Sequence, residues 1–355
     1  MMRALVVISG AVLALGLCDA WLVLRERSAR AGDVRVGALF TPAEAEELRK
    51  LPALRVESAG TTHRYGRIEG RWRCISYRDA PADERAIQSL IDALVQAEGF
   101  VVTREVEDAP AFGINAPETM RVALQGPRAV QDPGGDVQVE VDVGRSVPER
   151  GVTYLRRKGT KEIWEVDGDV RAMLAGHGAL PPLLEPSVVP AAWLEDAGGV
   201  LGVEIGEESR LVLERRDQAF DAEALERGAR PWQWFVRGDP AATERELDAD
   251  VGTAYASWLE HLPYEDVLDP SRRAELVPEN GSSTVVLRGR AGTELRLAFG
   301  PPLGDGRVPL WGSQDSMLFL LAAGARELAL PTADVLLGAT REENPWSAAL
   351  AAGGR

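Results

Sequence analysis

The apolar residues of this chain follow distinct spacings along its length. The first is a continuous run, Ala4–Leu24, which carries one charge, Asp19, and stands behind Arg3. Its length suits one helical crossing of a hydrocarbon core about 30 Å thick. No later stretch could span. Further on, apolar positions return every three or four residues, or every second residue. The first spacing predicts amphipathic helices and the second predicts strands with one wetted face.

Thr41-Pro42-Ala43-Glu44 opens a short helix, with Thr41 as its N-cap and Pro42 in its first turn, ending near Lys50. His63–Ile68 and Arg71–Tyr77 form a hairpin around Glu69-Gly70. Asp83–Glu98 is a helix whose stripe is Ile87, Leu90, Ile91, Leu94 and Val95, with Gly99 as its C-terminal stop. Met120–Leu124 and Val137–Val143 alternate as strands, and Val152–Arg157 and Lys161–Val166 form a hairpin across Lys158-Gly159-Thr160.

The same order then recurs. Leu201–Ile205 and Arg210–Glu214 form a hairpin, and Trp232–Val236 is a short aromatic strand. Thr243-Glu244-Arg245-Glu246 reads as a capping box. It opens a helix with Leu247, Val251, Ala254, Tyr255, Trp258, Leu259 and Leu262 on one stripe, stopping at Pro263. Strands follow at Thr284–Arg288, Glu294–Phe299, Val308–Trp311 and Met317–Leu321. The pattern predicts an α+β fold of two diverged repeats behind a single N-terminal transmembrane helix. Each repeat is an antiparallel sheet with one amphipathic helix packed on it. The expected segments are an anchor over 1–30, a juxtamembrane linker with a short helix over 31–60, repeats over 61–185 and 186–340, and a frayed tail over 341–355. The Pro-rich stretch Pro181–Pro190 marks the boundary between repeats.

Composition narrows the classes of function. The 355 residues carry a net charge of −15 and are 45% hydrophobic. That balance supports real cores and argues against nucleic acid and against a basic patch on anionic lipid. The two cysteines, Cys18 and Cys74, form no disulfide framework. A cleaved signal peptide would need a small-residue site close behind the apolar core, and Ala29-Arg30-Ala31 lies too far away. A lipoprotein signal would use Cys18; Leu17 before it is not small, whereas Asp19 after it would suit an inner-membrane lipoprotein, so this reading stands as the alternative. The run therefore reads as an uncleaved anchor. Arg3 flanks one end and Arg25, Arg27 and Arg30 the other. Counting these charges alone favours a cytoplasmic bulk, but long domains translocate largely regardless of them, so the flanks do not set the orientation.

From Trp72 to Leu174 the chain resembles the bacterial domain-of-unknown-function family numbered 4340. The resemblance rests on Gly70-Arg71-Trp72, the helix with Ala86-Ile87 and Leu90, and Phe112-Gly113-Ile114-Asn115-Ala116-Pro117. It continues through Met120–Leu124, Asp136–Gly144, Tyr154-Leu155-Arg156 and Ile163-Trp164-Glu165-Val166-Asp167. The aromatic-Gly-aliphatic-x-x-Pro piece is its most specific element. The resemblance implies an anchored extracytoplasmic domain whose genes often neighbour ABC transporter components, including gliding-motility-type systems. It brings no catalytic residues to carry over. In the second half, Tyr264–Pro270 stands where that piece would be expected.

Candidate chemistry is sparse. His63, His177 and His261 are isolated from one another and from cysteine, whereas metal sites cluster their ligands. Cys74 shares a strand face with Trp72, and His63 could face it across the hairpin, but a small buried hydrophobe is the ordinary role of such a cysteine. The acidic turns Glu165–Asp169 and Asp132–Asp136 lack the offsets of a Ca²⁺ loop. No phosphate-binding glycine motif and no nucleophile elbow occurs. Trp232 and Trp234 share a strand face and could form a sugar platform, though burial is the commoner use of tryptophan. Phe112–Pro117 reads as a corner in which Gly113 supplies a special backbone angle. No catalytic, cofactor-binding or metal-binding residue is assigned, and no cofactor is expected. The expectation is a non-enzymatic, anchored interaction or scaffold module. Its partner would be a membrane protein complex such as ABC transporter components, with no nucleic acid. The alternative is an envelope hydrolase using two carboxylates, or a glycan-binding protein. Sequence sets no oligomeric state.

Overall fold

The computed structural model describes residues 36–353 apart from 59, 133–134, 176–179, 207–210, 218–230, 239–242, 280–282, 315 and 341–342. The apolar run Ala4–Leu24 and Cys18 lie outside the described residues, as does His177. Among the described residues no helix is long and apolar enough to cross a membrane.

The fold is α+β, with two antiparallel sheets. The first half contains β1 (Gly37–Ala38), α1 (Pro42–Leu48), β2 (Ala53–Ser58), β3 (Thr61–Ile68), β4 (Arg71–Cys74), β5 (Ala80–Pro81) and α2 (Glu84–Val95). It continues through β6 (Glu98–Thr103), β7 (Met120–Gln125), β8 (Val137–Val147), β9 (Val152–Arg157), β10 (Ile163–Asp167) and α3 (Val170–Met173). The second half contains α4 (Ala191–Ala197), β11 (Gly202–Gly206), β12 (Leu211–Asp217), β13 (Trp232–Arg237), β14 (Arg245–Leu247), α5 (Ala249–Glu260) and β15 (Asp266–Leu268). After these come α6 (Arg273–Leu276), β16 (Ser283–Arg288), β17 (Glu294–Phe299), β18 (Val308–Gly312), β19 (Met317–Leu321), α7 (Ala325–Ala329), α8 (Ala333–Gly338) and α9 (Pro345–Gly353).

The first sheet has the order β1-β6-β10-β9-β8-β7-β2-β3-β4-β5, and the second β14-β13-β12-β11-β16-β17-β18-β19-β15. Leaving β1 aside, one order read backwards matches the other strand for strand. In each sheet a helix, α2 or α5, links strands at opposite rims. In each, a second crossover, β6 to β7 or β15 to β16, passes three intervening strands. By chain contacts, the described residues up to Thr62 group with those of Gln88–Met173, and His63–Ile87 group with the described residues from Leu174 onward.

Local chemistry explains most boundaries. Thr41 and Glu44 form a reciprocal capping box that starts α1. Glu69 and Gly70 both have positive φ, as a two-residue hairpin turn requires. The Asp83 carboxylate accepts the Arg85 and Ala86 N–H groups at 2.9 and 3.0 Å and starts α2. The predicted stripe of α2 is buried at every position.

Several expectations are corrected. The helix α5 is capped by Asp248, which accepts from Asp250 N and Val251 N, and not by the Thr243 box. Arg245–Leu247 instead pair as β14 with β13, so ladder bonds replace the capping interaction. Gly99 is not a helix stop. It lies inside β6, where a Cβ would meet the Glu165 carbonyl oxygen at 1.9 Å. The described part of the expected frayed tail is a helix, α9. Its Trp346 is buried, stacks edge-on with Tyr255 at 5.2 Å and donates to the Leu328 carbonyl at 2.9 Å. The Pro-rich stretch is packed as well: Pro181–Glu185 are buried. Tyr65 donates to the Pro182 carbonyl, and Tyr264 donates to the Glu185 carbonyl at 2.7 Å.

Candidate functional site

The corner Phe112–Pro117 ends the crossover from β6 to β7. A 3₁₀ turn, Val106–Phe112, stops at Gly113, which adopts the left-handed conformation with φ 72°. A side chain there would also strike the Arg145 backbone nitrogen at 2.7 Å, so the position requires glycine on both counts. Beyond it, Ile114 is fully buried with Ala109, Tyr154 and Ile163. The Phe112 ring meets Tyr154 edge-on at 4.8 Å. Thr119 closes the corner: its hydroxyl donates to the Gly113 carbonyl and accepts from Ala116 N–H, each at 2.9 Å. Asn115, with φ 61°, turns its side-chain oxygen toward the sheet.

That oxygen joins a charged ladder on the same sheet face. Alternation places Leu54, Val56, Val122, Val141 and Leu155 on one face and the charged residues on the other. Glu57, Arg121, Asp142 and Arg156 stand opposite one another in sequence across β2, β7, β8 and β9. Arg121 Nε lies 3.2 Å from Asp142, and its Nη1 lies 3.5 Å from Glu57. Arg156 Nε reaches the other Asp142 oxygen at 3.0 Å, while its Nη2 bonds Asn115 Oδ1 at 2.6 Å. One register step along, Glu140 is held by Arg55 at 3.1 Å and by Lys158 at 2.8 Å. The Glu140 and Asp142 side chains are only 6% and 7% exposed, whereas Arg121 and Lys158 are 48% and 67% exposed. Each buried carboxylate is thus bracketed by two cations, as burial of charge requires. Within the expected one-sided strand Val137–Val143, residues Val139–Val143 are covered on both faces, by apolar packing on one and by this ladder on the other.

The acidic turns are accounted for locally. Asp169 accepts from Ser146 Oγ at 2.6 Å and from Ala172 N at 3.0 Å, so it caps α3. Glu165 is buried and held by Arg150. Of the second turn, Pro133 and Gly134 lie outside the described residues, and Asp136 accepts from Gln138 at 2.7 Å. Among the described residues, no group of three histidine, cysteine or acidic side chains could hold a metal ion.

The remaining candidates separate in space. Tyr65, not His63, pairs across the hairpin from Cys74. The thiol is fully buried, 3.7 Å from Ser76 Oγ, and burial pushes its pKa up to about 11. That is the reverse of an activated nucleophile. Partial burial lowers the His63 pKa. His261 lies at the C-terminus of α5, with Nδ1 2.8 Å from the Ser257 carbonyl. Trp234 is a core residue whose Nε1 donates to Thr253 at 3.2 Å. Trp232 lies under the Arg215 guanidinium, 5.5 Å from its ring centre. Trp72 lines a cavity of about 280 Å³ with Pro81, Ala82, Pro190, Ala191 and Glu195.

Residues 72–177 match the family model described as Domain of unknown function (DUF4340). No curated protein and no solved structure matches the chain. The matched span holds the glycine corner and the Arg121, Glu140, Asp142, Arg156 and Lys158 positions of the ladder, while Arg55 and Glu57 lie before it. The resemblance read from Trp72, the corner and the following strands therefore stands. Sequence reasoning missed the ladder. Its only signal was alternation of charged residues within strands, and pairing between strands is invisible until their order is known.

The topological counterpart of the corner is also placed differently from the sequence reading. Tyr264–Pro270 contains β15, the counterpart of β6. The crossover itself runs through α6, where Leu276 and Val277 pack with Leu318, Leu268 and Trp311 on β19, β15 and β18. These strands correspond to β10, β6 and β9, which carry Ile163, Val102 and Tyr154 in the first cluster.

Proposed function

We propose that this chain is a non-catalytic interaction module, anchored in the bacterial inner membrane by Ala4–Leu24 with its bulk outside the cytoplasm. It serves as an accessory to an ABC-transporter-type, motility or envelope assembly. The observation that carries this reading is the charged ladder. Its buried carboxylates are saturated by fixed cations, so they do not behave as a free acid–base pair of the kind a carboxylate hydrolase uses. Its outer groups, Arg121 and Lys158, are exposed on the sheet, and arginine is a frequent anchor in protein interfaces. The two halves are diverged copies of one unit, a reading supported by their shared strand order and by the paired crossover clusters. An anchor raises the local concentration of partners in the same membrane, so a modest interface suffices.

The test is a replacement series in cells. Exchanging Ala4–Leu24 for an unrelated spanning helix should keep activity, while releasing the domain should abolish it. Neutralising the exposed ladder groups, Arg121→Gln with Lys158→Gln, should reduce crosslinking to membrane partners while circular dichroism shows the variant still folded. Loss of function from Asp167→Asn in a folded, anchored protein would overturn the reading in favour of an enzyme. Protection of the bulk from protease added to spheroplasts would overturn the orientation.

A further inference from the structure

We draw no further inference here: the strongest candidate, the rim of the first sheet at Phe100–Thr103, where β1 pairs only with Glu98 and Gly99 of β6, carries nothing because nothing in the structure shows what covers it.

Discussion

Replacing Arg156 by methionine tests whether the ladder holds the first sheet and its corner together. The change keeps an unbranched stem but removes the guanidinium. Asp142 then loses two of its contacts, at 3.0 and 2.5 Å, and Asn115 loses its partner at 2.6 Å. Removing one partner of a buried pair costs about 3–5 kcal/mol when the remaining charge is stranded. Asp142 is not stranded, because Arg121 still lies 3.2 Å away. Arg156 is itself 15% exposed, so some solvent reaches the site. The expected loss is therefore smaller, about 2–3 kcal/mol. For a unit of this size, about 2–4 °C of melting temperature accompanies each kcal/mol, which gives a fall of roughly 4–12 °C. Thermal melting of the full chain, followed by circular dichroism, reads this directly. A cycle with Asp142→Asn should show a coupling of about 1.5–3 kcal/mol. Arg156→Lys should recover only part of the loss, since a single ammonium lacks the planar fork by which Nε and Nη2 reach the carboxylate and the amide oxygen from separate nitrogens. A methionine variant that melts like the parent, with no coupling to Asp142, would refute the assignment of the ladder as a structural tie.

Leu90→Ala, in the fully buried stripe of α2, should cost about 2–5 kcal/mol, while exposed Ser89→Ala should fall within about 0.5 kcal/mol, and equal melting shifts would remove the assigned stripe. The Glu44 carboxyl is held down at about 2, chiefly by the Thr41 backbone N–H and then by Arg157. Its folded pKa is depressed, so its support for the fold is full above the ordinary value of 4.5 and is lost as pH falls toward 2. Titration by NMR should show that midpoint, and Arg157→Met should raise it. Cys74 should resist iodoacetamide at pH 8 in the native chain and react on unfolding, and rapid native labelling would contradict its burial.

Local order was legible because it depends on neighbours in the chain. Helical spacing marked α2 and α5, and period-two alternation marked β7, β8, β16 and β17. Thr41 marked its cap, and Glu69-Gly70 its turn. These signals depend on backbone geometry within a few residues, which any sequence displays. The repeated order of elements was visible for the same reason. Capping was misread at Thr243 because local chemistry offered two uses for one segment. Strand pairing of Arg245–Leu247 with β13 decided between them. The role of Gly99 was likewise set from outside, by the Glu165 carbonyl of a strand more than sixty residues away.

The ladder belongs wholly to this second kind of information. Glu57, Arg121, Asp142 and Arg156 are ordinary charged residues in sequence, each on the wetted side of its own strand. Only the order β2-β7-β8-β9 makes them adjacent, and a one-residue slip of any strand would turn its charge into the core. The sequence by itself determined which segments are helix or strand and which residues each must bury. The tertiary structure decided which charges meet, because a strand's neighbours are chosen by the chain's long-range path, and no local spacing records that choice.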